Sequence, residues 1–591
     1  MSIKTKLNWS EKRRRQISIL LTIIALLLWS HSIIYARFEV GHWGLISGLP
    51  VTFFVALALL TVASAILWVS KEKHGKLLCL QLLIFISALN LVPLITGGSP
   101  PFINHGYRNL GYIDYIIRQN HFDTNVSMYL SWPGAFIVAA ITANLSSINF
   151  EPLIEVLPIC IPILSLLPLY VFLKNTLGEA RSNYCWAGCW LFYLASYGAG
   201  NLISANGTAF FLLLIMLALV TNPSLWRKDS KPFALLSLIV IVFAAMTITH
   251  LLTALAALCI IAALCLVRLD KRLALAVGAC LILLLAWNLT GAGGFVQKQL
   301  PTSGQTTLIE STPPPNETPP GEAPPKEEPP RRGMLIINPE VLVEREITGH
   351  LSGSEAHADV AKVRILFAGI FVLIGLAGVI SALVKRRNFR TTIALLAITI
   401  APLVLVTLSG HYAREILTRL YAFALPGMAY FGAVLLDTKR RAVTTILCLL
   451  LIMAIPLYVV ASYGNQELDY FSPAEWSGIV FTHNETSQGL VFGAWPTGQV
   501  KNIEHYVTTD LERLKWEDGK LVLKKWKGQD IPNYIGISRQ NRARYAWFHG
   551  KTNLIEDIEQ MLNNAVNCDF IYNNPDLKLY ISDEPSKLIK N

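Results

Sequence analysis

The chain has 591 residues, 53% of them hydrophobic and only 15% charged, with a formal net charge of +11. Apolar runs of about 20 residues recur along it, which excludes a soluble globular protein and leaves a polytopic α-helical membrane protein. The positive balance is not a nucleic-acid footprint, because Lys and Arg stand in short clusters between apolar runs, where membrane orientation places them. Nine cysteines are scattered without His or acidic residues at metal-ligand spacing, so neither a disulfide framework nor a metal site is indicated.

Lys12, Arg13, Arg14 and Arg15 precede the first apolar run, and no small-residue cleavage site follows it. The expectation is a retained signal anchor with a cytoplasmic N-terminus. Spans at 16–36 and 46–69 form a two-span anchor within 1–75, and a third at 76–96 opens a transmembrane core over 76–461. The loop 97–150 then emerges on the outer face. Its segment Pro133–Ser147 is apolar but too short to cross, since a crossing helix needs about 20 residues. Reading that segment as interfacial keeps Arg227, Lys228 and Lys231 on the cytoplasmic side. Further spans are expected at 152–173, 182–200, 207–222, 233–249, 251–268, 272–290, 364–384, 391–409, 419–437 and 442–461, about thirteen in all. The outer connection 300–333 is rich in Pro and acidic residues and cannot bury enough apolar surface to fold, so disorder is expected there. The tail 465–591 reads as a small extracytoplasmic α/β domain, with strands at 489–494 and 534–538, a helix at 553–564 and a hairpin at 570–581 turning over Asn573–Asp576. The fold class is therefore mainly α: a polytopic membrane helical bundle with a small C-terminal α/β domain.

Polar residues beside apolar helices on the outer side are the candidates for chemistry. His105, Asp114, His121 and Asp123 lie in the first large loop. Asp114 could act as general base or ligate a divalent cation, and His105 could act as base near neutral pH. The structural alternative pairs Asp114 with Arg118 four residues on. A second group, His411–Arg419, lies between two spans. Arg419 there is costly unless it meets an anion or an acid. Its planar fork suits a lipid phosphate, while Glu415, four residues before it, offers a plain ion pair. His250, at a third turn, is either a further polar contact for substrate or a structural residue.

Gly111-Tyr-Ile-Asp-Tyr-Ile-Ile-Arg-Gln-Asn-His-Phe-Asp followed by Tyr129-Leu-Ser-Trp-Pro-Gly, then the paired spans of Pro152–Gly178 and Tyr184–Asn222, resembles the GT-C superfamily of integral membrane glycosyltransferases. Arg419-Leu-Tyr-Ala-Phe-Ala-Leu-Pro is similar to a late-helix motif in bacterial members. The resemblance covers about 76–461 and leaves the first two spans as additions. It implies a polyprenyl-phosphate-linked sugar as donor, a glycan, lipid or protein acceptor in the cell envelope, and inversion at the anomeric carbon. It implies no certain cofactor, with a divalent cation as the one candidate. Asp114 or His105 would then serve as base, and Arg419 with Arg108 or Arg118 would hold the departing phosphate. One departure stands out: the position of the family's catalytic Asp falls nearest His105. Either His105 replaces the carboxylate, Asp114 serves from a shifted position, or transfer is lost. A lipid-linked glycan transporter and a non-catalytic envelope assembly protein are the alternatives.

Overall fold

The computed structural model describes residues 10–294 and 351–582, apart from 102, 150, 152, 155–156, 198–203, 227–232, 352, 386–388, 409–415, 439–440, 486–490, 494–500, 502, 509–513, 518–519, 524–533 and 566–567. The Pro-rich stretch 300–333 thus lies outside the described residues, as do Glu415 and the rest of 409–415.

Among the described residues, eight helices are long and apolar enough to cross a membrane. The first part of the chain forms α1 (Glu11–Tyr35), α2 (Val51–Trp68), α3 (Gly75–Asn90) and α4 (Val92–Thr96). The loop helices are α5 (Ile103–Gln119) and α6 (Gly134–Ser146), and the bundle resumes with α7 (Leu157–Leu177), α8 (Ser182–Ala195) and α9 (Ala205–Val220). After the short α10 (Pro223–Trp226) come α11 (Phe233–Thr249), α12 (Leu251–Arg268) and α13 (Lys271–Leu289). The last bundle helices are α14 (Glu355–Val384), α15 (Phe389–Ile400), α16 (Ile416–Leu436) and α17 (Arg441–Tyr463). Each expected span coincides with one of these helices, but α3, α8, α9, α11 and α15 are shorter than a full crossing.

Two boundaries differ from expectation for physical reasons. The span expected over 76–96 breaks at Leu91, because Pro93 has no N–H to give the carbonyl of Leu89. The Tyr463 hydroxyl donates to that carbonyl instead, at 2.7 Å. The span expected from 364 starts nine residues earlier, at Glu355, where Ser354 caps the helix by accepting from the His357 N–H at 3.2 Å. Arg364 therefore lies inside a helix and not at its start.

The first two helices pack on the core through an intramembrane polar knot. Gln81 Nε2 donates to Ser18 Oγ at 2.9 Å and to Thr22 Oγ1 at 2.8 Å, while the Ser64 hydroxyl donates to Gln81 Oε1 at 2.9 Å. All four side chains are buried, so their polar atoms must find partners in the protein. Glycines set the closest helix contacts. A Cβ on Gly378 would lie 2.0 Å from the Phe431 carbonyl oxygen, and one on Gly427 would lie 1.9 Å from Thr399 Oγ1. Small residues at such crossings are how membrane helices gain packing without a hydrophobic driving force.

Past α17 the chain makes α18 (Gln466–Asp469) and α19 (Pro473–Glu485), then an α/β unit. Its main sheet has the order β2 (Tyr506–Thr508), β1 (Val491–Gly493), β5 (Tyr534–Ser538), β7 (Leu577–Ser582), β6 (Cys568–Asn573). β1 runs parallel to β2 and β5, and β7 runs antiparallel to β5 and β6. β3 (Leu514–Glu517) and β4 (Lys520–Leu523) form a separate hairpin. Ile535 and Ile537 face Ile555, Ile558 and Leu562 of α21 (Leu554–Asn564), and Tyr545 of α20 (Arg539–His549) joins that core. The hairpin β3–β4 and the helices α19 and α20 were not foreseen.

The N-terminal basic residues and this domain lie at opposite ends of α1. Arg14 Nη1 donates to the Val69 carbonyl at 3.4 Å at one end, and Phe38, just past the other end, packs on Tyr470 with ring centroids 4.3 Å apart.

Candidate functional site

At the domain end of the bundle, α5 carries His105, Arg108, Asp114 and Arg118 along one short helix. The helix is amphipathic and wedged between two apolar surfaces: Phe136, Ala139 and Ala140 of α6, and Phe471, Ile479 and Ile503 of the C-terminal domain. Tyr107 packs on Phe471 and Trp476 with ring centroids 4.8 and 5.1 Å apart. Asn120, at φ 58°, ends α5 in the left-handed conformation that Asn tolerates better than most residues.

Asp114 and Arg118 form the i,i+4 pair anticipated as the structural alternative. Arg118 Nε donates to Asp114 Oδ2 at 2.8 Å. The other two nitrogens of the same guanidinium donate to Glu504 of the C-terminal domain, at 2.9 and 3.0 Å. The two carboxylates hold Arg118 more firmly protonated than a free arginine, Glu504 contributing most. Arg118 is thus engaged by two acids among the described residues. A divalent cation bridging Asp114 and Glu504 would have to displace it. Among the described residues no group of three or more His, Cys, Asp or Glu is arranged to hold a metal.

Arg108 is placed differently. Its guanidinium lies 4.4 Å from the centroid of the Tyr129 ring, and its buried Nε has no hydrogen-bond partner among the described residues. Tyr129 belongs to the Tyr-Leu-Ser-Trp-Pro-Gly motif, and the neighbouring Tyr112 hydroxyl meets Ser127 Oγ at 3.0 Å. The motif's backbone is tied to the bundle by Trp287, whose Nε1 donates to the Ser131 carbonyl at 3.1 Å. Gly134 lets α6 approach the α11–α12 turn, since a Cβ there would fall 2.5 Å from Thr249 Oγ1. The motif therefore seats α6 against the turn that carries His250. His105 sits partly buried one helical turn before Arg108.

His250 is the N-cap of α12. Its Nδ1 accepts from the Thr253 N–H at 3.3 Å and meets Thr253 Oγ1 at 2.9 Å. Burial and the nearby Arg419 cation push it down to about 3, so it is neutral with the proton on Nε2. The chain thus brings together two of the expected residues, His250 and Arg419. Arg419 itself is partly buried in the first turn of α16. The pairing expected between Arg419 and Glu415 lies outside the described residues.

Arg364 was overlooked. Its Nε donates to the Ala461 carbonyl at 2.8 Å, and Tyr197 and Asp469 are the titratable groups that face it. No carboxylate among the described residues lies within ion-pair distance of it. Tyr197 packs against Tyr421, with centroids 5.8 Å apart, and the Tyr421 hydroxyl donates to the Ala195 carbonyl at 3.0 Å. Further along α14 and α16, and on the facing α8, Leu191, Phe192, Phe371, Ile374, Leu425 and Met428 line a small apolar cleft. Arg364, without a carboxylate at ion-pair distance among the described residues, and two phenols thus lie on or beside the elements that line this cleft, about two turns from Phe371 along α14. The signal was in the sequence, since an Arg at the mouth of an apolar run is expensive and needs a reason.

No protein-family model matches the chain, and no curated protein matches it significantly. Among solved structures it is similar to the Archaeoglobus fulgidus oligosaccharyltransferase. One crystal structure of that protein, tethered by a disulfide to an acceptor peptide with the NVT sequon, gives a TM-score of 0.45 at 12% identity, over 85% of this chain and 73% of that one. The apo form gives 0.41 at 15% identity, over 77% and 64%. No residue role here follows from that likeness.

Proposed function

We propose that the protein is a membrane glycosyltransferase that moves a sugar from a polyprenyl-phosphate-linked donor to an envelope glycan, lipid or protein acceptor. The observation that carries this reading is Arg364, a cation with no carboxylate at ion-pair distance among the described residues, set near Tyr197 on a helix that also lines a small apolar cleft. That combination suits an amphiphile with an anionic head and a hydrocarbon tail. Arg364 would hold the phosphate, joined by Arg419 and Arg108, and the cleft would take the prenyl chain. Asp114 is the base this reading uses. The acceptor hydroxyl attacks the anomeric carbon as its proton passes to the carboxylate, and the bond to the lipid phosphate breaks with its electron pair leaving on the phosphate. His105 is the second candidate base on the same helix.

The competing reading, a non-catalytic assembly protein, draws on the Asp114–Arg118 ion pair, which occupies the carboxylate. Transfer of label from a radiolabelled lipid-linked sugar in reconstituted vesicles tests both. Loss of transfer in Asp114→Asn and in Arg364→Ala, with the fold retained, supports the transferase. Undiminished transfer in Asp114→Asn removes Asp114 as base. Movement of label across the vesicle without transfer favours a transporter.

A further inference from the structure

The C-terminal domain meets the bundle through the segment 465–475. Phe471 inserts beside Tyr107 of α5 and its N–H donates to Ser99 Oγ at 3.0 Å, while Trp547 Nε1 donates to Asn465 Oδ1 at 3.4 Å and its carbonyl accepts from the Ser354 N–H at 2.9 Å. Arg539, at the start of α20, binds this segment from the domain side. It pairs with Glu467 at 3.2 Å, donates to the carbonyls of Glu467 and Tyr470, and lies over the Tyr470 ring.

Glu475 is sealed into this joint. Its side chain is 0% exposed, its Oε1 accepts from the Gln540 N–H at 3.2 Å, and its Oε2 has no hydrogen-bond partner among the described residues. Arg539 Nε is 4.0 Å away and is itself without a hydrogen bond. The buried side-chain amide of Gln540 has neither atom hydrogen-bonded among the described residues. Asp576 adds a further carboxylate, bonded to Ser472 Oγ at 2.5 Å, and Ser472 in turn accepts from the Glu475 N–H at 2.9 Å. Glu467 and Glu475 thus share a single guanidinium, with the Asp576 carboxylate a further negative neighbour of Glu475. A fully buried carboxylate with a bare oxygen in an acid-rich cluster is held more cheaply as the neutral acid.

We propose that this joint is a proton-linked latch: Glu475 takes up a proton as α20 and β7 seat on the segment 465–475, so the seat is tight in acid and loosens toward neutral pH. Burial first, and Asp576 last, push the carboxyl up, against the pull of Arg539, Ser538 and the Gln540 N–H, to about 7. In the opened joint Glu475 would titrate at the ordinary 4.5. The raised group stabilises the seated state fully below 4.5 and loses that contribution as pH rises to about 7. The opening equilibrium should then grow roughly tenfold per pH unit within that window and level off above it. Nearby His483 does not share the window, since burial and Lys501 push it down to about 4.

Hydrogen exchange on the full chain in detergent, corrected for the intrinsic pH dependence of exchange, reads this directly. From about pH 5 to about pH 8, peptides covering 466–485 and 534–549 should lose protection, while those from α2 should not change. Glu475→Gln, which fixes the neutral form, should keep the joint protected throughout. Joint protection that is flat with pH, a loss shared equally by α2, or a Glu475→Gln variant that titrates like the parent overturns the latch. Should that variant fail to fold, the profile of the parent protein alone decides between these outcomes.

Discussion

At the residue scale, much of the order at this site and at the far end of the bundle comes from single polar side chains bonding backbone. Asn183 accepts from the His74 N–H at 3.2 Å and donates to the carbonyls of Leu67, Ser70 and Glu72, the last at 2.7 Å. Asn183→Ala leaves these groups without that partner and should cost about 1–3 kcal/mol, seen as a lowered unfolding midpoint in detergent. An unchanged midpoint would mean that water replaces the side chain in full. His250→Ala removes an N-cap and should cost about 1 kcal/mol, whereas His250→Asn restores an acceptor and should recover most of it. The parent protein keeps His250 neutral, so acid costs stability from 6.5 downward toward about 3. His250→Asn should lack that component when unfolding is followed against pH. His250 is thus the N-cap of α12, with the Arg419 cation nearby.

At the element scale, close helix crossings rest on missing side chains. Gly378→Val would drive a Cβ into the Phe431 carbonyl oxygen, now 2.0 Å from where it would sit, and separate α14 from α16. Overpacking of this kind costs about 1–3 kcal/mol, and since both helices line the cleft beside Arg364, lipid binding should weaken along with thermal stability. Gln81→Leu strips partners from Ser18, Thr22 and Ser64 and should loosen α1 and α2 by about 1 kcal/mol, read as faster cleavage of the first loop by an added protease. The helices were legible in the sequence because apolar runs of fixed length have few other uses in a membrane protein. Their ends were less so. The break at Leu91 follows from Pro93, but its repair by Tyr463 is a contact across the whole chain. The early start of α14 depends on a single Ser354 cap, and the hairpin of β3 and β4 is too short to carry a periodic signal.

At the scale of the whole molecule, the C-terminal domain is a wall of the candidate site. It supplies Glu504 to Arg118 and shares an apolar core with α5, so the helix that bears Asp114 is buried on both sides. That arrangement was beyond the sequence, because residues 118 and 504 share no local pattern. The sequence did expose Asp114, Arg118 and Arg419 as charges needing a reason. It could not tell which would be neutralised by partners and which left for a ligand. Arg118 is the first kind, whereas Arg108 keeps a buried Nε without a hydrogen-bond partner and Arg364 has no carboxylate at ion-pair distance, both among the described residues.

The measurement that tests the account most directly is a cryo-EM map of the protein with a polyprenyl-phosphate lipid added. The account predicts phosphate density against the Arg364 guanidinium, with the prenyl chain entering the cleft between Leu191, Phe371 and Leu425. A map in which that cleft stays without lipid, with Arg364 closed onto Asp469 and Asp114 still held by Arg118, would contradict it.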